Sequence, residues 1–183
     1  MFEGAKIGHR FFFAIVPPIL LARQIANAAL WFADGGTPVR AERLHITLFI
    51  LDDFVIVPKR LIETLRAVGG RIAAAPIPVE LDLVGGGAAS IALRPRRVAT
   101  ALHDLHRQIA TAAASEGVDG REDYAFRPHL TLGYRHGAPF SERVAPVGWT
   151  ADRLLLIHSH LGRTRHEVVG EWALDGGAQG SLF

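Results

Sequence analysis

The sequence predicts an α+β fold of two related lobes, each an antiparallel sheet with helices packed outside it. Three observations predict it. Three segments carry an apolar stripe at helical spacing. Seven short β-branched or aromatic runs lie around them, several adjacent in sequence. A four-residue pattern recurs 84 residues further on, each time after a strand and a helix. Strict alternation of strand and helix would have argued for a doubly wound sheet; strands that neighbour one another in sequence favour antiparallel pairing.

The helices come first. Leu21, Ile25, Ala28 and Phe32 form one stripe, Leu61, Leu65, Val68 and Ile72 a second, and Val98, Leu102, Leu105 and Ile109 a third. Each is spaced i, i+4, i+7, i+11, the mark of an amphipathic helix on a flat partner. Pro18 and Pro58 stand where first-turn prolines belong, and Gly69-Gly70 and Gly117 near where two of the helices should stop. The strand-like runs are Phe11–Val16, Leu44–Leu51, Ile77–Val84, Ser90–Leu93, His129–Arg135, Arg153–Leu161 and His166–Leu174, each bounded by Gly, Pro or Asp. Gly85-Gly86-Gly87 reads as a hairpin turn or joint. It lacks the spacing and the trailing Lys-Ser/Thr of a phosphate loop.

The 183 residues suit one domain or two small lobes sharing a core. The expected unit is a single bilobal domain over residues 1–175 with a flexible, Gly-rich tail at 176–183. Hydrophobic residues at 49% and charged residues at 21% exclude a disordered chain, a collagen and a coiled coil. No apolar run reaches the roughly 18 residues needed to span a bilayer. The longest, Phe11 to Ala22, is split by Pro17-Pro18 and reads as part of the fold. A cytoplasmic, monomeric protein without membrane association is expected.

The chain has no cysteine, which removes disulfides, thiol catalysis and Cys-ligated metals. Chemistry must come from His, carboxylates, hydroxyls and Arg. Net charge is +2, yet the isoelectric point is about 9.5. With two Lys and two Tyr, few groups titrate just above neutrality, so a small excess of Arg moves that point far. It is weak support for nucleic-acid binding.

The repeat carries the chemistry. Residues 45–48 read His-Ile-Thr-Leu and residues 129–132 read His-Leu-Thr-Leu. Composition alone would produce His-apolar-Thr-Leu roughly 0.02 times in such a chain. Alternate side chains of a strand share a face, so His45 and Thr47 face together, as do His129 and Thr131, with Leu and Ile opposite. A single His-x-Thr on a half-buried strand is ordinary alternation; two copies in matched context are not. Two imidazoles and two hydroxyls around a small volume suit a phosphodiester. The hydroxyls donate to non-bridging oxygens, one imidazole takes a proton from the attacking oxygen, and the other gives one to the leaving oxygen.

These motifs, Arg43-Leu44-His45-Ile46-Thr47-Leu48 and Phe126-Arg127-Pro128-His129-Leu130-Thr131-Leu132, resemble the 2H phosphoesterase superfamily. The opening Arg10-Phe11-Phe12-Phe13-Ala14-Ile15 and the late Ser159-His160-Leu161-Gly162 before His166-Glu167-Val168 are most similar to its RNA 2′,3′-cyclic phosphodiesterase, or 2′–5′ RNA ligase (LigT-like), branch. The resemblance implies a bilobal fold with pseudo-twofold symmetry and a central cleft lined by both motifs. It also implies metal-independent hydrolysis of a 2′,3′-cyclic phosphate on RNA or a nucleotide to a 2′-phosphate, with ligation as the reverse. Many members of the branch carry Arg five residues after the second motif His. Here that position is Tyr134, and Arg135 follows. By alternation Arg135 shares the face of His129 and Thr131 and takes over the charge, while Tyr134 points inward.

The expected site is therefore His45 and His129 as the acid–base pair, the preferred order being His45 as acid. Thr47, Thr131, Arg135 and Arg127 hold the phosphate, and Phe11, Phe13 and Phe49 offer a stacking surface for a base. No cofactor and no metal are expected; the partners are RNA ends or small cyclic nucleotides. His103 with His106, and His158 with His160, have spacings open to a metal, but an exposed helix face and a structural strand are the better readings. His9 and His136 read as surface residues. Arg94, Arg96 and Arg97, with Arg163 and Arg165, could touch an RNA backbone, although solvated charge is the default. Two other readings keep part of this picture: a 2H enzyme for another small cyclic or 2′–5′-linked nucleotide, and a non-catalytic RNA-end-binding module.

Overall fold

The computed structural model describes residues 8–33 and 35–176. In chain order the elements are β1 (Gly8–Ile15), α1 (Ile19–Ala33), β2 (Thr37–Pro38), a 3-10 turn (Ala41–Arg43), β3 (Ile46–Ile50), α2 (Leu61–Gly70), β4 (Ile77–Gly86) and β5 (Ile91–Arg94). Then follow α3 (Thr100–Ser115), β6 (Leu130–Tyr134), β7 (Phe140–Ala151), β8 (Arg153–Leu161) and β9 (Arg165–Ala173). The strands pair antiparallel in the order β7-β4-β5-β6-β3-β1-β8-β9, with β2 on β6. The α+β class and the two antiparallel lobes read from the sequence are the architecture observed.

The order is a palindrome of roles. One half is β3-β1-β8-β9 and the other β6-β5-β4-β7. Each motif strand lies inside its half beside the strand that precedes its helix. The halves join through the single pair Ile46↔Leu130, motif strand to motif strand. The connecting helices change sides: α1 packs on β6, and α3 packs on β3. One continuous core between sheet and helices takes Phe11, Phe13 and Ile15 from β1, Leu65 and Val68 from α2, and Leu102, Leu105 and Ile109 from α3. Leu81 and Leu130 come to it from the second half. A smaller cluster on the concave face holds Phe12, Ala14, Ile50, Leu155 and Ile157.

In α2, Leu65 and Val68 are buried and Leu61 is half-buried, while Ile72, also half-buried, lies past the helix end; in α3, Leu102, Leu105 and Ile109 are buried and exposed Val98 precedes the helix. In α1 the buried residues are Ala22, Ile25 and Ala29, so Ala29 takes the place assigned to Ala28. α2 ends at Gly70, at the glycine pair expected near its end, with Arg71 as its C-cap. A Cβ on Gly69 would strike the Trp172 ring, so this glycine admits β9's indole to the helix. Gly117, with φ +69°, closes α3, and Val118 N–H donates to Ala113 C=O at 2.9 Å in the left-handed manner of a helix stop. Gly85 and Gly86 belong to β4, and the β4–β5 turn is closed by Gly87 N–H donating to Ser90 C=O at 3.0 Å. β7 was not foreseen. It carries Pro146 and Gly148, and it is an edge strand bulged between its pairs Arg143↔Leu83 and Val147↔Leu81, where proline is tolerated. Of the expected tail, the residues past Gly176 lie outside the described residues. No helix among the described residues is long and apolar enough to cross a membrane.

Candidate active site

Both motif strands are bulged at the same step. On β3 the partners run Phe13↔Phe49 then Ala14↔Thr47, and on β6 Ile91↔Gly133 then Ala92↔Thr131. One extra residue on each motif strand, Leu48 and Leu132, flips the alternation beyond it. His45 and Thr47 face the cleft; after the bulge Phe49 turns to the core and Ile50 returns to the cleft. On β6 Thr131 faces the cleft and, after the bulge, so does Tyr134. The bulge carbonyls are satisfied from outside the sheet. Leu48 C=O accepts from His106 Nδ1 of α3 at 2.7 Å, and Leu132 C=O accepts from Val39 N–H at 2.8 Å. At Gly133 a Cβ would come within 3.0 Å of Thr37 C=O, so the glycine lets β2 close over the second bulge.

This corrects the assignment of Arg135. Its side chain leaves the cleft and lies over Phe140, 5.0 Å from the ring centroid, in a separate hollow with Leu30, Trp31 and Phe32. Tyr134, expected to point inward, is exposed and lines the cleft. Phe11, Phe13 and Phe49 are also corrected. They are buried in the main core, beyond reach of a base: Phe11 and Phe13 because odd positions of β1 face the helices, and Phe49 because the β3 bulge turns it there. Phe12 is the cleft aromatic, stacked on His45 with centroids 4.8 Å apart.

A cavity of about 220 Å³ lies where the two motif strands meet. Its wall includes His45, Thr47, Thr131, Tyr134, Arg10 and Arg43. His45 Nδ1 donates to Arg43 C=O at 2.6 Å, and His129 Nδ1 donates to Arg127 C=O at 2.7 Å. The same i to i−2 bond thus fixes the same tautomer in both halves and leaves each Nε2 for a ligand. The surroundings then differ. Burial pushes His45 down to about 4, and the nearby Arg43 and His129 charges add to this against the Arg43 carbonyl bond. Tyr124 donates its hydroxyl to Thr47 C=O at 3.0 Å, and burial raises that phenol to about 12.

Two residues that sequence reasoning passed over complete the site. Arg43 lies in the cavity wall with its Nε buried and without a hydrogen-bond partner, and its terminal nitrogen reaches His166 Nε2 at 3.3 Å. His166 stands edge-on to His45 at 5.4 Å. It too is pushed down to about 4, first by burial and then by His45 and Arg43, so it accepts from the guanidinium. The available signal was symmetry: Arg stands two residues before the motif His in both halves. The other cavity cation, Arg10, is bidentate to Asp53 at 2.7 Å and thereby neutralised, so Arg43 is the cation poised for an anion. Asp53 also takes Arg121, so its carboxylate is held between two arginines.

The cavity is flanked on both sides. Beyond His45 a groove of about 560 Å³ runs over Val16, Leu155 and Ile157 to Glu42, Asp152 and Glu171. Beyond His129 a hollow of about 270 Å³ is lined by Arg94, Arg96, Arg97 and Arg127 together with Phe126 and His103. Arg127 therefore belongs to this flank rather than to the cavity of His45 and Arg43. Of the remaining histidines, His103 and His106 pack on Phe126, and exposed His136 donates to Ala88 C=O. His9, His158 and His160 cluster on the opposite sheet face.

The family model of the 2′-5′ RNA ligase superfamily matches residues 17–163. This chain belongs to that superfamily. It is 30% identical over 175 residues to the RNA 2′,3′-cyclic phosphodiesterase of Escherichia coli (strain K12), covering 90% of this chain and 96% of that protein. Escherichia coli LigT, solved with 3′-AMP, superposes with TM-score 0.75 at 27% identity over 91% of this chain and 98% of that one. TT0787 of Thermus thermophilus shares the fold, with TM-score 0.68 at 24% identity over 91% and 98%. The membership implied by the paired His-x-Thr motifs holds, and with it the bilobal arrangement around a shared cleft.

Proposed function

We propose that the protein hydrolyses 2′,3′-cyclic phosphates of RNA ends or nucleotides to 2′-phosphates, with His45 and His129 as the acid–base pair. The carrying observation is the matched tautomer of two histidines near enough to act on one another's charge, His45 lining a small cavity with a buried, unpartnered guanidinium nitrogen and His129 two residues before Thr131 in the same wall. Membership of the superfamily and the likeness to a cyclic phosphodiesterase support the same reading.

In the reaction the cyclic phosphate sits against Thr47, Thr131 and Tyr134 hydroxyls and the Arg43 guanidinium. His129, beside the open flank, takes a proton from water as its oxygen bonds to phosphorus. The P–O3′ bond breaks, and His45 gives its proton to the departing O3′. Burial holds His45 neutral in the free cleft, so in this order its proton arrives with the substrate. A phosphate charge against Nε2 in poorly solvated surroundings stabilises the imidazolium far more than it would in water. Ligation is the same step with a 5′-hydroxyl in place of water: its oxygen bonds to phosphorus as the P–O3′ bond breaks, which leaves a 2′–5′ linkage.

The test is turnover of a 2′,3′-cyclic mononucleotide, with the product isomer identified. A 2′-phosphate is expected. A 3′-phosphate or no turnover would remove the proposal. Replacing O3′ by a better leaving group assigns the order: the His45→Ala variant should be rescued and His129→Ala should not.

A further inference from the structure

On the face of the first half's sheet that turns away from the cleft, three imidazoles converge. His9 lies across from His160 in the β1–β8 pairing, and His158 lies across from Phe11. One ring nitrogen from each of the three lies within 4.8 Å of the others, and His9 Nδ1 and His158 Nε2 are already 2.8 Å apart. His158 is buried, its ring stacked on Phe11 at 4.4 Å, so its position is set by packing. Glu167 of β9, paired with His158 across the sheet, places Oε2 3.3 Å from His160 Nε2. None of these residues takes part in the cleft chemistry, since their strand neighbours Arg10 and Ser159 are the ones that line the cavity.

We propose that His9, His158 and His160 form a binding site for a borderline divalent transition ion, zinc being the reference, with Glu167 positioning His160. Zinc–nitrogen bonds of about 2.0–2.1 Å place tetrahedral donors roughly 3.4 Å apart. From the present spacings, up to 4.8 Å overall and 2.8 Å between His9 and His158, the widest pair must close by up to about 1.4 Å and His9 and His158 must part by about 0.6 Å, on side chains of which His9 and His160 are only half-buried. Three imidazoles and no cluster of oxygen donors select zinc, cobalt, nickel or copper over magnesium and calcium. A carboxylate behind a ligating imidazole is the usual outer partner of such a site. Three protein ligands leave a fourth position for water. The ion would fasten β1 to β8 behind the cleft, so it should add stability without entering the proposed reaction.

The experiment uses the untagged, chelator-treated full chain titrated with cobalt and with zinc. One equivalent of cobalt should give visible d–d absorption, and zinc should raise the melting temperature by several degrees. His9→Ala and His160→Ala should each weaken binding at least tenfold, while His45→Ala and His103→Ala should keep it. Wild-type protein that gives neither signal would overturn the site. So would full binding by the His9→Ala/His160→Ala double variant, or loss of binding on His45→Ala or His103→Ala. Should either alanine variant fail to fold without metal, His160→Gln supplies the same comparison. Turnover of a cyclic mononucleotide should be equal before and after metal loading; turnover that required the ion would overturn its separation from the chemistry. Failure of the metal site would leave the cleft reading intact, because the two are read on different residues.

Discussion

The two motif strands are built alike and surrounded differently. Each has a histidine bonded to the carbonyl two residues back, a threonine two residues on, and a bulge that returns the fifth residue to the cleft. Yet that residue is Ile50 in one half and Tyr134 in the other. The arginine two before the histidine is turned into the cavity at Arg43 and out to the flank at Arg127. One flank carries Glu42, Asp152 and Glu171, the last two ion-paired with Arg153, and the other carries four arginines. The difference teaches that symmetry supplies two matched histidines, and that its breaking supplies unlike charge around them. On the proposed function, an RNA chain leaving a terminal cyclic phosphate in the cavity would run toward the arginine flank.

The largest break in the comparison should come from the histidines. His45→Ala and His129→Ala should each lower kcat for a cyclic mononucleotide by about two to four orders of magnitude, with melting temperatures near wild type. If one variant kept near-normal turnover, the halves would not share the chemistry. Arg43→Gln comes next. Loss of a charge-assisted phosphate contact is worth about 1.5–3 kcal/mol, or roughly ten- to over a hundredfold in kcat/KM, whereas Arg127→Gln should barely change a mononucleotide. Equal effects of the two would mean that Arg43 does not hold the phosphate.

The pH dependence of anion binding sharpens the same contrast. His45 lies at about 4 in the free cleft, below its ordinary 6.5. A bound anion favours the imidazolium and raises that value, so binding takes up a proton. Affinity must therefore rise as pH falls toward 4 and level off above the value in the complex. Sulfate, fully ionised throughout, is the clean probe: its inhibition constant should tighten on acidification in wild type and be flatter in His45→Gln. The reverse slope would show that the anion does not meet His45.

Direction is tested by length. Arg94→Ala and Arg97→Ala should each weaken binding of a cyclic-ended oligonucleotide several-fold and reduce its salt slope by about 1, leaving the cyclic mononucleotide unaffected. Identical losses on both substrates would remove the flank as an RNA path. The smallest effects concern the bulge. Tyr134→Phe should cost a few-fold in kcat/KM, the worth of one neutral hydrogen bond of about 0.5–1.5 kcal/mol, and Arg135→Ala less than twofold. The opposite order would place Arg135 in the cleft after all.

Much of this was legible in the residues. The His-x-Thr pair, the stripes of α2 and α3 and the antiparallel class follow from local periodicity. The bulges do not. Strict alternation from His129 puts Arg135 in the cleft and Tyr134 inside, and one extra residue at Leu132 reverses both. That bulge is held by Val39 N–H and its counterpart by His106, partners distant in sequence. Gly133 was the one local sign, since an isolated glycine in a strand marks a bulge or a close backbone approach. Phe11 and Phe13 were misread for a related reason: alternation tells that Phe12 faces away from them, but not which side is the cleft. Arg43 and His166 meet only when β9 returns beside β8, a contact that no local pattern contains.

The exchange of helices has a consequence for how the chain reaches this state. Because α1 rests on β6 and α3 on β3, neither half can bury its own connecting helix until the other has formed. The first helix must wait about a hundred residues of synthesis for its strand, and long-range pairing of this kind slows folding. Neither half should be stable by itself, and a cut in the β4–β5 turn parts neighbouring strands of both halves, so a chain severed there should refold only when both fragments are mixed. The cleft would then be assembled in the same cooperative step as the core, and partly folded molecules would carry no half-active site.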